Sequence, residues 1–348
     1  MGVFKDIIIE LDVMDEQLKD EEVRKFINNY AYRKQQGDWI QFKNGNGICE
    51  INKKDGTQIT TVLTDEEFKA DFPLNCDMSI SERCNMGCKF CYLECTPNGK
   101  EANIKKFIED KSSFLYTLHP GTELAINGNE PLHEDLDLLL EFCKERDILA
   151  NLTVNEITLM RNKEIIEKWL NEGYVHGIGV SPSTYTQSMV DWCKEHPTSV
   201  IHTIAGITTA EQYTQLKDQG LKILILGYKE FGRGVDYNLF LGDKVSKNIK
   251  WLKDNISELT NHFEVTSFDN LAIEQLGMKN KLDEKTWSSF YRGDEGSHTM
   301  YLDLVNETFA KNSIQSRDNH YKLKNNIREM LKIVQCPDLN EVWNDNQL

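Results

Sequence analysis

The 348-residue sequence contains no apolar run approaching the roughly 18 to 20 residues that cross a bilayer, so no membrane span is expected. It is also short of positive charge. Lys and Arg number 40 against 56 Asp and Glu, a formal balance of −16. Such a surface repels phosphate backbones, whose recognition rests largely on Lys and Arg, and nucleic acid is not an expected partner. Single nucleotides are not excluded on that ground. The amino-terminal stretch lacks the basic head and long apolar core of a secretory leader. Nine cysteines, three of them packed in one loop, do not resemble the disulfide framework of a small secreted chain. A reducing, cytoplasmic setting is expected, in which the Asn-x-Ser/Thr triplets at Asn151, Asn255 and Asn306 carry no glycosylation. Several enzyme signatures are absent too: no His-Glu-x-x-His, no Gly-x4-Gly-Lys-Ser/Thr and no Gly-x-Ser-x-Gly.

What is present is an ordered alternation. With 39% apolar side chains the chain can bury one large core and an appendage. From Cys76 onward, short β-type runs at 76–81, 123–127, 148–154, 175–181, 199–204 and 221–226 alternate with amphipathic helical runs. One helix is expected over 133–147, with Leu136, Leu139, Leu140 and Cys143 facing the sheet, and another over 162–172, stopped by Gly173. This is the grammar of a parallel α/β fold. Residues 263–268 suggest a further edge strand, 247–261 a helix, and 299–305 with 308–310 a late hairpin. Before Cys76 the pattern changes to a helix over 16–32 and three strands over 38–43, 47–52 and 57–62. Asn44-Gly45-Asn46 and Asp55-Gly56 serve as hairpin tips. That module would cap an edge or end of the main domain, or receive a peptide by strand addition.

The chemistry concentrates in Cys84-x3-Cys88-x2-Cys91. Iron–sulfur clusters are held one thiolate per iron, so three cysteines leave one iron of a four-iron cluster free for a non-protein ligand. Cys95 opens an alternative. As a fourth thiolate it would close the site, either around zinc or around a full iron–sulfur cluster. The bacterial ferredoxin run C-x2-C-x2-C-x3-C-P differs from this one in its first gap and in the place of its proline. Cys76 reads as a strand core residue.

The triplet spacing resembles the signature loop of the radical S-adenosylmethionine enzymes. The resemblance implies a [4Fe-4S] cluster whose open iron chelates the amino and carboxylate groups of S-adenosylmethionine. It also implies reductive cleavage to a 5′-deoxyadenosyl radical that abstracts hydrogen from a substrate. Phe90, just before the third cysteine, then lies near the adenine. Asn127-Gly128-Asn129-Glu130-Pro131 resembles the family's Gly-Gly-Glu-Pro turn, in which backbone carbonyls and the glutamate receive the cofactor ammonium. Asn129 stands where the family usually has its second glycine, and read alone the stretch is an ordinary strand-to-helix turn. Thr153, Asn155, Ser181 and Ser183 fall where the family places partners for the ribose and methionine carboxylate. Ile204-Ala205-Gly206-Ile207 resembles the turn that packs against the adenine.

Lys229 and Arg233 lie among three glycines at 227–234. There they bind the cofactor carboxylate or substrate, or belong to a solvated loop paired with Glu230 or Asp236. Tyr228 is a candidate radical relay. The fold implied is a partial (β/α)6 TIM-like barrel over 71–245, with an amino-terminal helix-plus-meander module over 1–70 and an extension over 246–348. Only Cys336 follows the late hairpin, which argues against an auxiliary cluster domain. A flavodoxin or ferredoxin is the electron donor the family implies. The substrate expected is a peptide or protein, with a small metabolite or nucleoside as the alternative. The rival class is a non-catalytic iron–sulfur carrier or zinc-binding module closed by Cys95.

Overall fold

The computed structural model of the protein describes residues 34–336, apart from Asp55, residues 63–66, Gly242, Arg292 and Ser316. The helix expected over 16–32 lies outside the described residues. A four-stranded antiparallel meander comes first, with β1 (Lys34–Gln36), β2 (Trp39–Asn44), β3 (Gly47–Asn52) and β4 (Gln58–Val62) in sequential order. The Asn44-Gly45-Asn46 tip joins β2 to β3 as its composition predicts. Gly45 has φ +57°, and a Cβ there would lie 1.6 Å from the Lys69 carbonyl oxygen. Asn44 is buried and fastens the meander to the segment at 71–72. Its Oδ1 accepts from the Asp71 and Phe72 amides (2.7 and 3.2 Å), and its Nδ2 donates to the Phe72 carbonyl (2.9 Å).

The main domain is mixed α/β around one ten-stranded sheet. Its strands are β5 (Asn75–Ser79), β6 (Glu123–Gly128), β7 (Leu149–Asn155), β8 (Gly177–Ser181), β9 (Ser199–Ile204), β10 (Lys222–Leu226), β11 (Val265–Phe268), β12 (Thr299–Asp303), β13 (Thr308–Ala310) and β14 (Tyr321–Lys322). Spatial order is β11-β10-β9-β8-β7-β6-β5-β12-β13-β14, parallel from β11 through to β12 and antiparallel thereafter. The helices are α1 (Ile104–Glu109), α2 (Leu136–Glu145), α3 (Glu156–Arg161), α4 (Lys163–Asn171), α5 (Gln187–Glu195), α6 (Ala210–Leu216), α7 (Arg233–Leu241), α8 (Lys244–Leu259), α9 (Asn270–Leu276), α10 (Glu284–Phe290) and α11 (Ile327–Gln335).

The six expected strands appear as β5 to β10 within two residues of their predicted bounds, and β11 forms the expected edge. Two pairings of this sheet had no counterpart in the sequence pattern: β14 adds to β13, and β12, the first strand of the late hairpin, runs parallel to β5. That contact spans more than two hundred residues and leaves no local pattern to detect.

Strands that neighbour each other in chain order without reversal send their right-handed crossovers to one side. One register of side chains is accordingly apolar and buried. Leu124, Ile126, Leu152, Val154, Ile178, Val180, Ile201, Ile223 and Ile225 share a core with the helices. Leu136, Leu139, Leu140 and Cys143 of α2 face it as their spacing predicts. The other register is polar, and it includes Asn75, Asp77, Glu123, Asn151, Thr153 and His202. At its amino end Asn75 and Asn151 both donate to the Glu123 carboxylate, the latter at 2.8 Å.

The meander packs beneath that end. Ile40, Phe42, Cys49 and Ile51 form a second cluster with Phe72, Leu74 and Leu149, where β7 begins. Phe42 lies so close to Gly121 that a Cβ there would sit 2.4 Å from its ring. Truncating Phe42 to alanine should cost about 3–5 kcal/mol, the usual range for a buried phenylalanine. The urea midpoint should fall, with hydrogen-exchange protection lost first in β2 and β3. An unchanged midpoint would show that this contact does not hold the meander down.

Candidate functional site

Because β5 to β10 are parallel, the segments that follow them emerge on one rim. The cysteine loop leaves β5. Its base is tied to the next strand, since Asn127 accepts from the Ile80 amide (2.7 Å) and donates to the Ser81 carbonyl (2.9 Å). The loop then closes on itself, Cys84 N–H donating to the Thr96 carbonyl (2.8 Å) and Cys91 N–H to the Cys88 carbonyl (3.3 Å). Cys84, Cys88 and Cys91 are half-buried, whereas Cys95 is buried.

The sulfurs are near enough to influence one another. Burial pushes the Cys88 thiol up, and the neighbouring Cys91 and Cys84 add to the shift. Cys91 and Cys95 act on one another most strongly, the first thiol shifted down and the second up. Among the described residues, no three His, Cys, Asp or Glu side chains converge to hold a single metal ion. A four-iron cluster makes a different demand, one thiolate for each of three separate irons.

The turn 127–131 meets this loop directly: Asn85 N–H donates to the Glu130 carbonyl at 2.6 Å. Two stretches matched separately by sequence are thus hydrogen-bonded to each other. Gly128 is required for space, because a Cβ would fall 2.6 Å from the Val154 side chain, and Asn129 does not need a positive φ. The Glu130–Pro131 peptide is cis. Glu130 is 8% exposed. Its Oε1 accepts from Arg161 (2.9 Å), while Oε2 is buried without a partner. Such an acceptor is costly to leave empty.

Along the rim, Thr153 turns to the polar face of the sheet, where Gly179 leaves room for it and for the ring of His202. Burial holds that imidazole down at about 4, and its Nδ1 has no partner. Asn155 and Ser183 are brought together, Asn155 Nδ2 donating to Ser183 Oγ (2.6 Å) and to the Ser181 carbonyl (3.2 Å). Asn155 Oδ1 also caps α3. Ile204 ends β9 half-buried, its amide donating to Thr208 Oγ1. Phe90 meets Tyr237 of α7 edge-on, 5.8 Å between centroids.

The glycine-rich segment after β10 reaches the same loop. Gly232 (φ +51°) is packed so tightly that a Cβ would lie 2.6 Å from the Tyr92 carbonyl oxygen. Arg233 donates its amide to the Cys91 carbonyl (3.2 Å) and its guanidinium to the Cys95 carbonyl (3.0 Å). Lys229 lies over the Tyr92 ring (3.9 Å) and donates to Ser313 Oγ (2.8 Å). Burial works against its charge, but Tyr92, Asp77 and Asp269 outweigh it and the net shift is upward. Neither cation pairs with Glu230 or Asp236, so the solvated-loop alternative does not describe this segment. Tyr228 is buried with its hydroxyl donating to the Gly234 carbonyl, an arrangement that fixes the segment's turn.

Asp77, Arg161 and His202 carry no motif and could not be named from sequence, and neither could Glu156. Glu156 is 2% exposed. It receives the amides of Ser183, Thr184, Tyr185 and Thr186 and the Thr186 hydroxyl, so that a carboxylate organises the loop after β8. Beyond β11 a cavity of about 800 Å³ opens, lined by Asn270, Trp287, Tyr291, Glu295 and Asn312 among others. Among the described residues no helix is long and apolar enough to cross a membrane. No protein-family model matches this chain, and no curated protein does either.

Burial opposes the Glu156 charge, but the Thr186 hydroxyl and the loop amides outweigh it and hold the carboxyl down at about 2, against an ordinary 4.5. A depressed carboxyl contributes stability that is complete above its ordinary value and is lost as pH falls through the folded one. Glu156→Gln should therefore be less stable than the native protein at neutral pH. The gap in urea midpoint should narrow as pH drops from 4.5 towards about 2. A gap independent of pH would assign the loss to packing.

Proposed function

We propose that the protein is a radical S-adenosylmethionine enzyme. The observation that carries this reading is the hydrogen bond from the Asn85 amide to the Glu130 carbonyl, beside a buried Glu130 Oε2 that has no partner. A three-thiolate loop and an unfilled acceptor site share one wall. The donor set fits the absent groups. Cys84, Cys88 and Cys91 supply one thiolate for each of three irons, and Glu130 offers the acceptor an ammonium needs, since an ammonium only donates. Once bound, the cluster and S-adenosylmethionine would supply an electron and a sulfonium that cleaves to a 5′-deoxyadenosyl radical.

The chain's own residues would place and shield that chemistry. Glu130, steadied by Arg161, holds the ammonium end; Gly128 gives the backbone close approach; Pro131 leads the chain away from the turn. Phe90 offers a ring face near the cysteines. Thr153, Asn155, Ser181 and Ser183 present hydroxyl and amide groups along the next two strand ends, and Ile204 presents an apolar surface at the third.

A partial barrel accounts for the contacts across the polar face. In a flat sheet β10 and β5 would be separated by about 24 Å, five strand spacings. Yet Lys229, just past β10, lies over the ring of Tyr92, in the loop that leaves β5, at 3.9 Å. A curled sheet would bring them together around a polar lumen. The substrate would enter at the rim, where Lys229, Asp269 and Glu295 border the lumen and the cavity beyond β11 adjoins Glu295. A peptide or protein is the first substrate proposed, and a small metabolite or nucleoside the second. The meander lies at the opposite end, so strand addition there would not deliver a residue to the rim. The chain's electron would come from a flavodoxin or ferredoxin.

The direct test is anaerobic. Protein reconstituted with iron and sulfide should release 5′-deoxyadenosine when given S-adenosylmethionine and dithionite, and Cys88→Ala should release none. Failure of a fully loaded native protein would sink the reading. Glu130→Gln should load its cluster normally but bind S-adenosylmethionine at least about tenfold more weakly, the value of a hydrogen bond to a charged group. Equilibrium dialysis would measure it, and unchanged affinity would remove Glu130 from the cofactor site.

A further inference from the structure

Cys95 is the fourth thiol of the loop, and it stands beside the other three. Cys84 N–H donates to the Thr96 carbonyl (2.8 Å) and Glu94 N–H to the Cys91 carbonyl (3.2 Å), so the backbone of the loop brings Cys95 back towards Cys84 and Cys91. Nothing in the spacing forbids it from taking the fourth iron, which would close the site to S-adenosylmethionine. Two side chains from elsewhere in the fold hold this residue. Asn129 Nδ2 reaches the Cys95 sulfur at 3.8 Å while donating to the Ser81 carbonyl at 2.7 Å, so the amide is anchored to the base of the loop. From the far side, Arg233 donates to the Cys95 carbonyl at 3.0 Å, and the adjoining Gly232 is wedged against Tyr92 and Cys91. Cys95 is 5% exposed between them.

Asn129 is the residue that departs from the family's glycine, and Cys95 is the thiol that the three-cysteine pattern does not require. The two are in contact, so each gives a reason for the other. A glycine at 129 would offer Cys95 no hydrogen-bond partner.

We infer that Asn129 and Arg233 are positioning residues that keep Cys95 out of the fourth coordination position and so keep the cluster open to S-adenosylmethionine. Asn129 occupies the thiol and Arg233 fixes the backbone that carries it. This rests on the proposed cluster assignment. Released, Cys95 would bind the fourth iron as a thiolate and give its proton to solvent, occupying the place of the cofactor's amino and carboxylate groups.

The test reads the cluster rather than turnover. Protein is reconstituted anaerobically, reduced with dithionite, and its electron paramagnetic resonance spectrum recorded with and without S-adenosylmethionine. The native protein and Arg233→Lys, which keeps the cation, should show a cofactor-induced change in the signal. Arg233→Met and Asn129→Ala should retain four irons yet lose most of that change. Adding Cys95→Ala to either should restore it, a rescue that a merely destabilised loop would not show. The inference is overturned if Arg233→Met and Asn129→Ala respond as the native protein does, or if the Cys95→Ala combinations stay silent. Cys95→Ala alone separates this inference from the cluster assignment. Retention of the cluster and its response supports the open three-cysteine site, whereas loss of iron makes Cys95 an obligatory ligand and overturns both readings.

Discussion

The unreversed parallel order of β5 to β10 is the constraint on which the rest of the molecule depends. It sends every crossover helix to one face, leaves the other face polar, and brings six strand ends to a common rim. The cysteine loop, the Glu130 turn and the Arg233 segment are distant in sequence and share no element. They meet because each is the first thing the chain does after a strand of the same direction. Local hydrogen bonds then fix the meeting: Asn127 to the base of the cysteine loop, Asn85 to the turn, and Arg233 to the loop's far end. Each of these bonds joins backbone to a side chain or backbone of another segment, so the rim is assembled by contacts that no single segment could make alone.

Period and punctuation made much of the fold legible. The alternation from β5 to β10, the i, i+3, i+4, i+7 face of α2 and the Asn-Gly tip of the meander are local signals, and each appears where the sequence places it. The pairing of β12 with β5 was not legible, because parallel pairing carries no turn and spans two-thirds of the chain. Helix α3 was also missed. Asn155 ends β7 and caps α3 at once, so no loop residues separate strand from helix.

The same division runs through the candidate site. Cys84, Cys88, Cys91 and Glu130 could be named from spacing, because the chemistry proposed for them depends on short-range order. For the glycine-rich segment at 227–234 the structure gives a packing reason that its spacing does not. Gly232 is small to admit backbone of the cysteine loop, and Arg233 serves carbonyl oxygens of that loop. Asp77 and His202 acquire their surroundings only from tertiary placement, and Glu156 draws its importance from a loop thirty residues away.

If the sheet curls into the proposed partial barrel, the layer in which Asn75 and Asn151 grip Glu123, with the meander packed beneath, would give the polar interior a floor. A vessel closed below has a single mouth, and traffic through one mouth is ordered by depth. Whatever binds deepest must arrive first and depart last, so the occupant nearest the rim acts as a stopper for the one beneath it. Turnover in such a protein would be governed by a queue, and a tightly held outer ligand would slow release of the inner one without touching it.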